Sequence, residues 1–270
     1  MAEHSLRFAL NHMVAPHLPL AEFFALARRL GLADVEIRND LAGQPLPEPA
    51  EVKRLAAAAG IRILSINALQ KFNHWSAARA AEATALAEYC RACGAEALVL
   101  VAANDGSGRG ESERVPNAIE ALRGLKPIFA AAGIVGLVEC LGFDACSLRK
   151  KSEAVAAIDA AGGRDVFRLT HDTFHHHLAG EEALFPERTG LVHISGVEDA
   201  ALPVSDMRDS HRVLVGPKDR LGNIAQLKAL RAAGYGGPIS FEPFAAELRT
   251  LPDPARAIAD SMQFIRAWLS

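Results

Sequence analysis

The chain has 270 residues, half of them hydrophobic, and a formal net charge of −3 with acids and bases mixed along its length. That charge offers no field for a phosphate backbone, which argues against nucleic acid as a partner. No apolar stretch approaches the ~20 uncharged residues of a membrane span, so no membrane association is expected.

In chain order, strands and helices alternate. Short apolar runs at residues 6–10, 34–37, 61–66, 97–101, 134–139, 167–170, 191–194 and 238–241 have the form of buried parallel strands. Helical patterning covers 20–30, 49–59, 77–93, 115–132, 152–161, a short stretch near 181–185, 224–233 and finally 254–269. Gly31, Gly60, Gly94, Gly133 and Gly234 each follow a helical run, as C-terminal caps do. With no Pro- or Ser-rich linker, eight such units predict a single domain, 1–270, of α/β class. The expected architecture is a closed (β/α)8 TIM barrel, which needs about 250 residues, rather than an open doubly wound sheet. The strand-to-helix loops at 38–48, 67–76, 102–114 and 195–223 are the long ones, which puts function on that face.

Met1 to Ser5 carry neither the basic nor the apolar region of a secretion signal, so a cytoplasmic location is expected. Cys90 and Cys93 form a C-x-x-C inside an Ala-rich helical run and read as small packing residues rather than a redox or zinc pair. The glycine-rich stretch from Gly106 to Gly110 lacks the Lys-Ser/Thr ending of a phosphate loop and reads as a flexible turn.

Four apolar runs end in a metal-ligand side chain: Gly136-Leu137-Val138-Glu139, Phe167-Arg168-Leu169-Thr170-His171-Asp172, Leu191-Val192-His193 and Ile239-Ser240-Phe241-Glu242. On neighbouring strands about 4.8 Å apart, these side chains can share one divalent metal ion, and such an oxygen-rich set accepts zinc, manganese, cobalt or magnesium. Without a cation, three carboxylates beside one neutral imidazole would repel. His175 follows Asp172 by three residues, across the first turn of any helix that starts there, and is expected to face the ligand as a hydrogen-bonding or proton-shuttling group. His176 and His177 point elsewhere on such a helix. Arg212, in the longest loop, either pairs with the carboxylates and substrate hydroxyls or is simply solvated. Asn11, Glu36, Arg38 and Asn67 end the first three strands and are candidates for the far wall of the pocket. Phe72, Trp75 and Phe244 are candidates for an apolar wall, with plain packing as the alternative for each.

On these residues the chain resembles the xylose-isomerase-like barrel superfamily of sugar isomerases, epimerases and endonuclease IV, and within it the inosose (2-keto-myo-inositol) isomerases of inositol catabolism. Matching segments run almost the full length: Asn11, Val35-Glu36-Ile37-Arg38, Ile66-Asn67-Ala68-Leu69, Phe72-Asn73, Glu139 with Gly142, Asp172-x-Phe174-His175, Val192-His193-Ile194, Arg212-Val213, and Ser240-Phe241-Glu242-Pro243-Phe244. The resemblance implies that Glu139, Asp172, His193 and Glu242 hold the metal, and that His175 and Arg212 contact a small polyol ketone or ketose. The expected chemistry is a metal-assisted proton transfer beside a carbonyl, with Glu139 and Glu242 removing and delivering the proton. No dinucleotide fingerprint is present. The chain departs from the family's pattern after His193, where Ile194-Ser195-Gly196 replaces acidic residues, and at Gly216-Pro217-Lys218-Asp219-Arg220-Leu221-Gly222, where Pro-Gly-x-Gly is usual.

Ketose 3-epimerases, hydroxypyruvate-type isomerases and dehydroshikimate-type dehydratases use the same kind of metal site, and the sequence does not separate them. An endonuclease-IV-like nuclease also matches at the ligands and His175, and Asp209-x-His211 echoes its extra ligand pair. It needs histidines after strands three and four, however, where this chain has Asn67 and Ala102-Ala103-Asn104. A non-catalytic sugar-binding barrel is disfavoured by the intact acid pair. Metal identity and oligomeric state, a homo-oligomer included, stay open.

Overall fold

Side chains on a strand alternate between two faces, so a strand buried on both sides supplies one apolar layer inside the barrel and another beneath the helices. In the computed structural model, which describes residues 6–269, eight parallel strands close in sequence order. They are β1 (Phe8–Asn11), β2 (Asp34–Arg38), β3 (Arg62–Gln70), β4 (Ala97–Val101), β5 (Val135–Glu139), β6 (Phe167–Asp172), β7 (Thr189–Ile194) and β8 (Ile239–Phe241). The helices that follow them are α1 (Leu20–Arg29), α2 (Pro49–Ala59), α3 (Ala77–Cys93), α4 (Arg114–Ala132), α5 (Lys151–Ala160), α6 (Thr173–Ala179), α7 (Asn223–Ala232) and α8 (Pro254–Leu269). β8 pairs with β1, Phe241 opposite Leu10, and the ring is complete. The closed TIM barrel expected from the sequence is the fold observed.

The barrel floor is a small apolar cluster of Ala9, Leu64, Ala97, Val99, Leu137 and Leu191 with Ala68. Two residues further along β1, β5 and β7 on the same face stand Asn11, Glu139 and His193. Period two therefore lifts polar groups onto an apolar plug, at the carboxyl ends of the strands. The larger core lies outside, where residues such as Phe129 and Phe167 pack strands to helices. Ser76 accepts the Arg79 N–H at the start of α3, and Gly94 ends the helix in the left-handed region at φ 84°.

Two local expectations are corrected. β3 does not stop at Ile66 but runs to Gln70, pairing Leu69 with Leu100 and Gln70 with Val101 across a register shift. Asn67 is polar yet stays in the strand, because its amide is hydrogen-bonded inside the barrel. The short helix expected near 181–185 is irregular chain, and the sixth helix comes earlier, directly after Asp172. Glu181 instead accepts the N–H groups of Lys151 and Ser152, capping α5. The expectation for Met1 to Ser5 lies outside the described residues. Among the described residues, no helix is long and apolar enough to cross a membrane.

Candidate metal centre

The barrel brings four strand ends to one point. Glu139 closes β5, Asp172 closes β6, His193 lies one residue before the end of β7, and Glu242 follows β8. Each offers one ligand atom, and these atoms lie within 4.8 Å of one another, all on buried residues. His193 Nδ1 is 3.0 Å from Glu139 Oε1 and 3.2 Å from Glu242 Oε2. Asp172 doubles as the cap of α6, its Oδ1 accepting the N–H groups of Phe174 and His175.

Arg212 is 1% exposed, despite its place in a long loop. Its Nη2 donates to Asp172 Oδ2 at 2.7 Å and Glu242 Oε2 at 3.0 Å, its Nε to Ser195 Oγ, and its Nη1 to Asp209. The guanidinium lies 5.0 and 4.6 Å from the ring centroids of Phe174 and Phe244. Arg38 holds the other oxygen of Glu242, Nη1 to Oε1 at 2.9 Å, and forks onto Asp40. The solvated alternative for Arg212 is therefore excluded: both arginines are structural parts of the carboxylate cluster.

The electrostatics fit a divalent cation. Burial alone would depress the His193 pKa, but the carboxylates of Glu242, Glu36 and Glu139 outweigh it and hold the imidazole well above its ordinary value. Burial raises Glu139, whereas Glu242 is held below the usual carboxylate range because His193, Arg212 and Arg38 together outweigh its desolvation. Four buried carboxylates, Glu36, Glu139, Asp172 and Glu242, thus face two buried guanidinium groups, Arg38 and Arg212. A dication beside a neutral His193 brings these groups to neutrality; without one, the imidazole must carry charge instead. Three carboxylates and an imidazole nitrogen within ligand reach are the donor chemistry such an ion needs.

Above the cluster opens a cavity of about 280 Å³, lined by Glu139, Glu242, Arg212, Arg38, Asn67, His175 and Phe244 among others. His175 is 4% exposed and edge-on to Phe143 and Phe174. Its Nδ1 is buried without a hydrogen-bond partner among the described residues, although the residue as a whole lines the cavity. Asn11 and Glu36, expected in the far wall, lie beneath the four candidate ligands instead. Asn11 bridges Glu36 and Glu242, while Glu36 is wholly buried against His193. Trp75 is outside the cavity, its indole against Gly124 of α4, and Phe72 is buried in the outer core. The packing alternative holds for both aromatics.

Ser65, Ser195 and Phe143 also belong to this region and were not singled out from the sequence. Ser65 had a signal, as a polar residue between Leu64 and Ile66 two places before Asn67. Phe143 and Ser195 lie in loops, where no period marks them. Asp209 and His211 form no second ligand pair: Asp209 binds Arg212 and His211 Nδ1 accepts the Arg208 N–H. Cys90 and Cys93 are buried and packed, and burial raises both thiols above their ordinary range.

A family model described as xylose isomerase-like TIM barrel matches residues 24–268. Among solved structures, a xylose isomerase domain containing protein from Salmonella typhimurium LT2 is 34% identical, with TM-score 0.89, over 97% of each chain. The IolI protein, solved with a bound zinc atom, is 22% identical over 98% of each chain, with TM-score 0.87. A D-allulose 3-epimerase from Methylomonas sp., in complex with D-allulose, is 21% identical over 97% of this chain and 96% of that one, with TM-score 0.75. At the identities of these last two, the likeness is one of fold. The comparison with curated proteins finds no match.

Proposed function

Because the chain belongs to the xylose isomerase-like TIM barrel family, we propose that it is a divalent-metal-dependent isomerase of a small polyol ketone, with 2-keto-myo-inositol as its substrate. One observation carries this reading. Glu139 and Glu242 come from strands on different sides of the barrel mouth, yet reach within 3.0 and 3.2 Å of the same imidazole nitrogen, beneath the cavity. Two carboxylates converging below one substrate position can take a proton from one carbon and return one to its neighbour.

A divalent cation held by Glu139, Asp172, His193 and Glu242 would supply Lewis-acid polarisation of the carbonyl and stabilise the developing enediolate charge. The chain's own groups do the rest. One of Glu139 and Glu242 accepts the proton from the hydroxyl-bearing carbon beside the carbonyl; the C–H pair forms a C–C double bond and the carbonyl π pair moves onto its oxygen. The proton of the neighbouring hydroxyl passes to that oxygen, the hydroxyl oxygen re-forms a carbonyl, and the C–C π pair takes a proton from the other carboxylate at the former carbonyl carbon. Arg38 and Arg212 keep Glu242 in place from two sides. His175 lines the cavity and can hydrogen-bond a substrate hydroxyl there. Arg212, with most of its donors committed, positions carboxylates more than it clamps substrate. At about 280 Å³ the cavity is near the lower end of the ~300–1,000 Å³ typical of ligand pockets, which suits a monosaccharide-sized polyol.

Incubating zinc-, manganese- or cobalt-loaded protein with 2-keto-myo-inositol in D2O tests this. The expected product is a keto-chiro-inositol with deuterium at the exchanged carbon. No conversion by protein of verified metal content would move the substrate to another ketose or keto acid. Epimerisation of a ketohexose by the same two carboxylates would instead place deuterium at its C3.

A second reading, a hydroxypyruvate-type isomerase, is favoured by a cavity of about 810 Å³ that shares Asn104, Phe143 and Asp209 with the first and carries Arg109, Arg149 and Arg208. Guanidinium groups there suit a substrate carboxylate. Hydroxypyruvate in the same assay separates the two.

A further inference from the structure

Glu36 is 0% exposed, a carboxylate on β2 near the centre of the barrel and absent from the set that can share one ion. Its two oxygens lie 3.0 and 3.1 Å from His193 Nε2. Three further donors converge on it: Ser65 Oγ at 2.6 Å, Asn67 Nδ2 at 2.9 Å and Asn11 Nδ2 at 3.4 Å. The same Asn11 amide donates to Glu242 Oε1 at 3.2 Å. The imidazole is thus gripped from both ends, with Nε2 on Glu36 and Nδ1 on the side of Glu139 and Glu242.

We propose that Glu36 is the positioning residue of the metal centre: it fixes the ring orientation and tautomer of His193 so that Nδ1 carries the lone pair toward the cation, and thereby sets cation affinity. An imidazole presents two nitrogens, and a hydrogen bond from one decides which of them is free to ligate. An acceptor at Nε2 must receive that N–H, and a carboxylate does so more strongly than a neutral group. Glu36 does not reach the ion itself, because the two ring nitrogens face opposite ways and Glu36 stands behind the ring. Ser65, Asn67 and Asn11 leave it no freedom to turn, and all three come from strands with no ligand of their own. The near half of the barrel thus works as a mount for the half that binds.

This inference rests on the metal site proposed above, and the experiment separates the two. Metal-free wild type, Glu36→Gln and Ser65→Ala are titrated with Co(II), following the visible absorption bands and competition with a chelator. Glu36→Gln is expected to bind Co(II) 10–100-fold more weakly, the range for removing such a partner of a ligating histidine, with band positions unchanged because the four ligands remain. Ser65→Ala, which only loosens Glu36, should weaken binding a few-fold and serves if Glu36→Gln does not fold. Wild-type affinity in Glu36→Gln, or in Ser65→Ala where that variant is the one used, would overturn the proposal. Shifted bands in Glu36→Gln would overturn it too, by making Glu36 a ligand. If wild type binds no Co(II), the metal site itself falls, and the inference falls with it.

Discussion

Arg212 and Glu242 are joined by a buried ion pair, Nη2 to Oε2 at 3.0 Å, between residues thirty positions apart. Because the same Nη2 also holds Asp172, one guanidinium spans carboxylates from β6 and from the end of β8. The Arg212 carbonyl in turn accepts the N–H groups of Phe244 and Ala245, and Gly196 pairs with Val213 across the loop. A long loop is in this way pinned onto the site by its arginine.

Removing that arginine should be costly. In metal-free protein, Arg212→Ala leaves Asp172 and Glu242 buried without their shared counter-charge, a change expected to destabilise by about 3–5 kcal/mol. Arg212→Lys keeps the charge but not the fork, and should fall between the two. Urea denaturation reads both, and a loss under about 1 kcal/mol for the alanine variant would show that the pair carries no structural weight.

The acid pair should be indispensable to turnover and dispensable to the fold. Glu139→Gln and Glu242→Gln are each expected to slow deuterium incorporation into the substrate by at least ~10²-fold, with circular dichroism unchanged. Near-normal exchange in Glu242→Gln would remove it from the proton path.

Gly142 links the β5 loop to His175. A Cβ at this position would lie 2.3 Å from the His175 carbonyl and 2.6 Å from Leu178 Cβ, so the close approach of backbone to α6 requires glycine. Gly142→Ala should push α6 away, costing about 1–3 kcal/mol and raising KM through His175. Unchanged KM would show that the His175 imidazole does not contact substrate.

Lys151 should make stability depend on pH in the alkaline range. It is 4% exposed, its Nζ is 2.7 Å from His171 Nδ1, and burial pushes its pKa down to about 8 despite Glu181 and Cys140 nearby. The unfolded chain keeps a lysine near pH 10.4 and so binds more protons than the folded chain between the two values. This residue's contribution therefore rises with pH from about 8 to about 10.4, and below about 8 the folded state carries the full cost of the buried charge. Relative to Lys151→Met, wild type should gain about 3 kcal/mol across that window. Parallel curves for the two proteins would rule out a titrating Lys151.

Much of the site was legible in the sequence because it obeys local rules. An apolar run ending in Glu139 or His193 turns its acid or imidazole toward the barrel mouth by period two, and Asp172 caps the helix it precedes whatever lies opposite. His175 followed from the same turn, three residues on. Asn67 was misplaced to a loop because a polar residue ends a run only if nothing inside receives it, and its acceptor, Glu36, is 31 residues away.

The chain's own pattern determined the strand–helix alternation, the closed barrel and the four strand ends that carry the candidate ligands, since each depends on residues within a turn or a strand of one another. Tertiary structure alone decided that Arg212 is buried, that Trp75 lies against Gly124, and that Glu36 stands behind His193 across 157 residues of chain. Those relations are distances between elements, set by how the strands stagger as the barrel closes, and no local period encodes them.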